Sequence, residues 1–135
     1  MLFFSVVFSI INLNNNTILK GISINNIDIS NLSKEEARNK IKDIVNTKSS
    51  TNINFIYNDE TIYTSTFENF NIQYEIDEAI NSAYIIGKST NIFKNNYEIL
   101  NLKFNHKNIN LNISLNDDKL SSSSTDLSSS ISDAL

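Results

Sequence analysis

Apolar residues recur along this chain in short alternating runs punctuated by asparagine. Ile22 and Ile24 alternate with polar neighbours, Asn25-Asn26 intervenes, and Ile27 and Ile29 alternate again. Two such runs around two turn-formers predict a β-hairpin with a primed turn. Primed turns need positive φ, which asparagine tolerates better than any residue but glycine. Ser33 then stands three residues before Glu36, the spacing of a capping box in which the hydroxyl takes an orphan helix N–H and the carboxylate reaches back. Ala37, Ile41, Ile44 and Val45 follow at i, i+4, i+7 and i+8, so the helix they predict, ending near Thr47, has one apolar face.

Further on, Ile53, Phe55 and Tyr57 alternate, as do Tyr63, Ser65 and Phe67, across a turn at Asn58-Asp59-Glu60. This predicts a second hairpin with one aromatic-rich face. Ile72, Tyr74 and Ile76 alternate briefly before Asp77, which reads as the N-cap of a second helix. That helix would bury Ala79, Ile80, Ala83 and Tyr84 and end with Gly87 at C′. Tyr97–Phe104 and Ile109–Leu115 read as two strands around a turn containing His106, the second with Ile109, Leu111, Ile113 and Leu115 on one face. Beyond them the chain turns serine-rich. Leu120, Leu127, Ile131 and Leu135 keep helical spacing behind Asp118, but serine is a mediocre helix former, so this segment reads as a helix or as a linker.

Strands that come in hairpins, interleaved with helices, give the α+β class: an antiparallel sheet with two to three helices packed on one face. Residues 1–11, MLFFSVVFSII, are apolar apart from Ser5 and Ser9. The run is shorter than the roughly 20 residues that cross a bilayer and lacks the basic start and small-residue cleavage site of a full export signal. It reads as the distal half of a signal or membrane anchor, or as a buried strand, and its lack of alternation favours the anchor. The expected organisation is an anchor segment plus polar linker over 1–19, a folded domain over 20–116 and a serine-rich helix or linker over 117–135.

Composition narrows the chemistry. A net charge of −4 and the absence of any basic cluster along the sequence argue against nucleic acid as a partner. There is no cysteine, which excludes disulfides, thiolate metal sites and cysteine nucleophiles. His106 is the single histidine and sits among Asn and Lys, so neither a metal site nor a histidine-assisted serine nucleophile is expected. Glu35-Glu36 is explained by helix capping and a favourable first-turn charge, and no carboxylate pair is singled out for glycoside cleavage. The heavy use of Asn, Ile, Lys and Ser resembles the coding bias of an AT-rich genome.

Gly21, Ile22, Ile24, Ile27, Asp28, Leu32, Ser33, Glu35, Glu36 and Ala37 together resemble the peptidoglycan-binding domain of bacterial envelope proteins. In that family the domain follows a membrane anchor and precedes a VanW-type or a YkuD-type L,D-transpeptidase domain. Ala79, Ala83, Gly87, Lys88 and Asn91 resemble the family's small-residue helix running into a Gly-Arg-x-Gly-Asn turn. Together the two motifs extend the resemblance over roughly Lys20 to Leu115. Asn26 and Asn31 stand where the family has glycine, Lys88 where it has arginine, and Thr90 where it has glycine.

The resemblance implies a non-catalytic extracytoplasmic module with peptidoglycan as its partner. It would be a fragment of a longer VanW-like envelope protein, held at the membrane by the N-terminal segment, with no cofactor and no metal. The alternative is an envelope scaffold or protein-interaction domain without glycan affinity. Candidate ligand contacts are Tyr57, Tyr63 and Tyr74, whose rings offer a flat apolar face and a polar tip, together with Lys88 and Asn91 as an exposed polar pair.

Overall fold

The structure, a computed structural model, describes residues 15–69, 72–115, 124–129 and 132. The expected anchor at 1–11 and the proposed Asp118 cap lie outside these residues. Among the described residues no helix is long and apolar enough to cross a membrane. In chain order the elements are β1 (Ile22–Ile24), β2 (Ile27–Asp28), α1 (Lys34–Ser49), β3 (Asn52–Tyr57), β4 (Glu60–Thr66), β5 (Ile72–Tyr74), α2 (Ile76–Tyr84), α3 (Ile92–Leu102), β6 (Lys107–Ile109) and β7 (Ile113–Leu115). The mixed α+β class is as the sequence predicts. The strands, however, form three small sheets, β2-β1-β6, β3-β4 and β5-β7, in place of one antiparallel sheet, and β1–β6 is a parallel pair. The chain divides into two compact units, one within Met1–Lys42 and Glu75–Asn112, the other within Asp43–Tyr74 and Ile113–Leu135.

In the first unit the β1–β2 hairpin turns at Asn25 and Asn26 with φ of 44° and 65°, the positive values a primed turn requires at both central positions. Asn31 is also left-handed, at φ 61°. Ser33 closes the capping box of α1: its Oγ accepts from Glu36 N at 3.2 Å, and Glu36 Oε2 accepts from Ser33 N at 2.8 Å. Those bonds from Ser33 hold the Glu36 carboxyl below the usual carboxylate range. Ala37 and Ile41 are buried with Ile18, Ile22, Ile24, Ile29, Ile80 and Ala83, and α2 packs on β1 and β6. Helix α2 begins one residue before Asp77, so Asp77 is not its cap. Glu75 takes that position and makes no side-chain cap bond. Asp77 instead sits in the first turn, where its charge suits the helix dipole, and accepts from Arg38 Nε at 2.6 Å. The helix ends at Tyr84 with Ile85 as C-cap, so Gly87 lies two residues past the cap, in the left-handed region.

Two predicted strands are recast by pairing. Tyr97–Phe104 is helical through Leu102, as part of α3. Asn91 caps it, accepting from Lys94 N at 3.1 Å, and Asn95, Ile99 and Leu102 are its buried positions. The helix conceals its period because an asparagine is buried while Phe93, Tyr97, Leu100 and Phe104 are exposed. Asn95 can sit fully inside because every polar atom is used: Oδ1 accepts from Ser89 N and Ser89 Oγ, both at 2.8 Å, and Nδ2 donates to Ser89 O at 2.7 Å. The run Ile109–Leu115 is not one strand. β6 pairs with β1, β7 pairs with β5, and the intervening residues are drawn away by Leu111 N to Asn25 Oδ1 at 3.0 Å and Glu75 N to Asn112 O at 3.0 Å.

In the second unit β3 and β4 form the expected hairpin. Its turn residues Asn58 and Asp59 have φ of 48° and 64°. Phe55 and Tyr63 face each other across the strands with ring centroids 5.7 Å apart, the cross-strand aromatic contact that stabilises a sheet face. Residues 67–69 form a turn after β4.

Lys88 acts as a strut in the first unit. Its Nζ donates to Thr17 O at 2.8 Å and lies 3.3 Å from the centre of the Tyr84 ring, which Lys34 Nζ also approaches, at 4.5 Å. Tyr84 is therefore half-buried beneath two ammonium groups instead of fully in the core. Burial, and secondarily the charge of Lys34, push the Lys88 ammonium down to about 8.

Two outcomes follow for stability. Ser33→Ala removes one half of the capping box and is expected to lower the unfolding free energy by about 1 kcal/mol in urea titration; an unchanged midpoint would show that the cap is idle. Lys88 loses its proton in the folded chain at about 8, whereas the unfolded chain holds it up to the ordinary lysine value of 10.5. The unfolded state therefore binds more protons across that window, and stability rises with pH there. Unfolding measured from pH 7.5 to 10.5 should show wild type gaining stability relative to Lys88→Met. A difference that shrinks with pH would mean that the Tyr84 ring and the Thr17 carbonyl outweigh burial.

Candidate functional site

Gly21 and Gly87, the only two glycines of the chain, both serve the walls of one groove. Gly21 lines it at φ 88°, and a Cβ there would stand 3.0 Å from Leu102 O. Its backbone is held on both sides: Ser30 Oγ accepts from Gly21 N at 2.9 Å, and Gly21 O accepts from Lys107 N at 2.8 Å. Gly87, at φ 72°, lies behind Leu19 and Ile99, where a Cβ would come within 2.6 Å of Leu19 Cδ1 and 3.1 Å of Ile99 Cγ1. Left-handed backbone and close approach both demand glycine at these positions. The Gly87 N–H donates to Glu98 Oε2 at 2.6 Å, which keeps the turn closed against α3.

The groove has a volume of about 610 Å³, within the range of about 300–1,000 Å³ typical of ligand pockets. Leu19, Ile99 and Leu102 make its apolar floor. Lys20, Lys103 and His106 stand on its rim with the amides Asn15 and Asn31. Among the described residues none that lines the groove carries a carboxylate. In a chain of net charge −4, this is a local reversal of sign. Among the described residues neither Lys20 nor Lys103 takes part in an ion pair. Asp28 has an electrostatic influence from His106, but its Oδ1 already accepts from Ser30 N at 2.9 Å. That bonding with Ser30 is the main reason its carboxyl is held below the usual range, with lesser help from Lys40 and His106.

Two shallower depressions border α3 in the same unit. One, of about 380 Å³, shares Leu102 with the groove and is lined by Tyr97, Asn101 and Lys107. The other, of about 490 Å³, is lined by Lys88, Ser89, Thr90 and Lys94 and shares Ile86, Glu98 and Lys107 with the first. Together they offer an extended track beside the helix, with Tyr97 largely exposed on it.

The residues singled out from the sequence fall in different places. Tyr57, Tyr63 and Tyr74 belong to the second unit, Lys88 and Asn91 to the first. Tyr57 is exposed, whereas Tyr63 and Tyr74 are half-buried. Of the expected exposed polar pair, Asn91 is exposed and Lys88 is not. Lys88 is half-buried with its ammonium committed to Thr17 and Tyr84, and the Asn91 side chain caps α3. His106 is exposed, as expected, but it precedes a parallel strand and faces the groove; it does not sit in a hairpin turn. Lys20, Lys103, Leu19 and Ile99 carried no signal, because nothing local in the sequence joins positions so far apart. The one available hint was that glycine is used at only two positions.

The family model described as "putative peptidoglycan binding domain" matches residues 63–131. No curated protein and no solved structure matches the chain. The match contains the second of the two motifs, Ala79 to Asn91, along with Ile99, Leu102, Lys103 and His106 of the groove. The first motif, Gly21 to Ala37, lies outside it. The structure nevertheless ties that motif to the matched residues through the β1–β6 pair and through the groove that Gly21 shares with Leu102. With just over half of its length matched, the chain belongs to the putative peptidoglycan binding domain family.

Proposed function

We propose that this protein is a non-catalytic extracytoplasmic module that binds peptidoglycan in the groove of its first unit. The observation that carries the reading is the groove itself: an apolar floor beneath a rim of three basic side chains and two amides, with no carboxylate among the described lining residues, in an acidic chain. Peptidoglycan offers matching groups, namely sugar hydroxyls and acetamides for Asn15 and Asn31, short aliphatic side chains for the floor, and anionic groups for the rim. Tyr97 beside the groove offers a sugar a flat ring. In the second unit Tyr57 is the proposed glycan contact, supported by its exposure, with Tyr63 and Tyr74 presenting only part of their rings. Lys88 and Asn91 then act by holding the shape of the turn before α3. In this reading the chain is part of a longer VanW-like envelope protein, with residues 1–11 as the end of a membrane anchor.

A second reading, a protein-interaction module without glycan affinity, has one observation in its favour. Phe93, Tyr97, Leu100 and Phe104 recur at i, i+4, i+7 and i+11 and are all exposed, a stripe of the kind that marks contact surfaces.

Co-sedimentation with purified sacculi at low salt separates the two. The full chain is expected to pellet with sacculi, and Phe93→Ser with Phe104→Ser should pellet equally. A chain that stays in the supernatant at every sacculus concentration would sink the peptidoglycan reading. Loss of pelleting in the stripe variant, with its fold intact, would transfer the function to α3.

A further inference from the structure

We infer that the groove selects a carboxylate-bearing peptide over the glycan, with Lys20 and Lys103 gripping the carboxylate and Leu19, Ile99 and Leu102 receiving short apolar side chains; this rests on the peptidoglycan reading. The inference starts from what the rim can bond. A lysine ammonium has three donors and no acceptor. Sugar hydroxyls both donate and accept, so a neutral glycan leaves a paired-cation rim poorly used. A carboxylate is acceptor-only and complements it, and a charge-assisted bond is about twice as strong as a neutral one.

The surroundings leave the lysines available. Among the described residues no carboxylate lines the groove to neutralise them; the exposed Asp28, kept ionised by Ser30, acts on His106 from outside the lining. His106 adds ring N–H donation on the same rim. Beneath it, the floor is built from aliphatic carbons alone and is kept close to the rim by Gly21 and Gly87, whose missing Cβ atoms let Leu102 and Leu19 approach. A basic rim within reach of an aliphatic floor fits the end of a short peptide with small side chains. It uses a neutral sugar less fully, and a bare phosphate has no apolar part to bury.

Both lysines are exposed, so each single contact is weak, screened beyond a Debye length of about 8 Å at physiological salt. Repetition of the peptide along a polymeric wall raises the local concentration of ligand that one such groove meets. The overall negative charge of the chain adds a repulsive background that this local rim must overcome.

The test is an NMR titration of the whole chain with N-acetyl-alanyl-alanine as the free acid, as its C-terminal amide, and with inorganic phosphate, alongside sacculus pelleting. The free acid should shift the amide signals of Gly21, Lys103 and His106. The amide, and the free acid against Lys20→Gln with Lys103→Gln, should bind at least about tenfold more weakly. An unchanged melting temperature in that variant excludes misfolding as the cause, and Lys20→Arg with Lys103→Arg should restore binding. Equal binding of acid and amide, shifts that map outside the groove, or phosphate binding as tight as the peptide would each overturn the inference. If the chain pellets with sacculi and the free acid cannot displace it, the inference falls while the peptidoglycan reading stands. If the chain does not pellet at all, both fall.

Discussion

The parallel pairing of Ile22–Ile24 with Lys107–Ile109 is the interaction on which the first unit depends. It joins residues more than eighty positions apart, as in the bond from Ser23 Oγ to Asn108 Oδ1 at 3.0 Å. Parallel strands cannot be joined by a tight turn and need a long crossover, which here contains the intervening helices. The loop-closure entropy is offset by several bonds made together. Lys107 N donates to Gly21 O and Asn25 N to Ile109 O, while Asn108 Oδ1 also accepts from Asn26 N at 2.9 Å. The same asparagines that turn the first hairpin therefore also fasten β6 beside it.

From that pairing the groove follows. Fixing Gly21 against Lys107 sets Lys20 on one side and carries Lys103 and His106, just before β6, to the other. Gly87 then lets Leu19 and Ile99 close the floor. Because a Cβ at either glycine would meet backbone or a packed side chain, the shape of the groove and the packing of the unit are one constraint. The family match covers the later half of this arrangement, and the strand pairing supplies the rest from the N-terminal hairpin.

Some of this was readable from local chemistry. The hairpin at Asn25-Asn26, the capping box of Ser33 and Glu36, the apolar face of α1 and the turn at Asn58-Asp59 are each decided by neighbours a few residues away. α3 was not readable, because its buried Asn95 is satisfied by Ser89 and its aromatics face outward, inverting the pattern from which helices are recognised. Asp77 looked like a cap because its type is right; helix α2 starts before it once Arg38 holds the carboxylate from outside. Lys88 and Asn91, singled out as ligand contacts, also make structural bonds, to Thr17 and Tyr84 and at the start of α3.

By itself the sequence determined the asparagine turns, the Ser33–Glu36 capping box and the α+β class, because short-range dihedral preferences and hydrogen bonds decide those. Which strands pair, where α3 directs its faces, and which lysines share a rim were decided only by tertiary structure. Those outcomes depend on burial and pairing between distant residues, and no residue's own preference encodes a partner it meets eighty positions away.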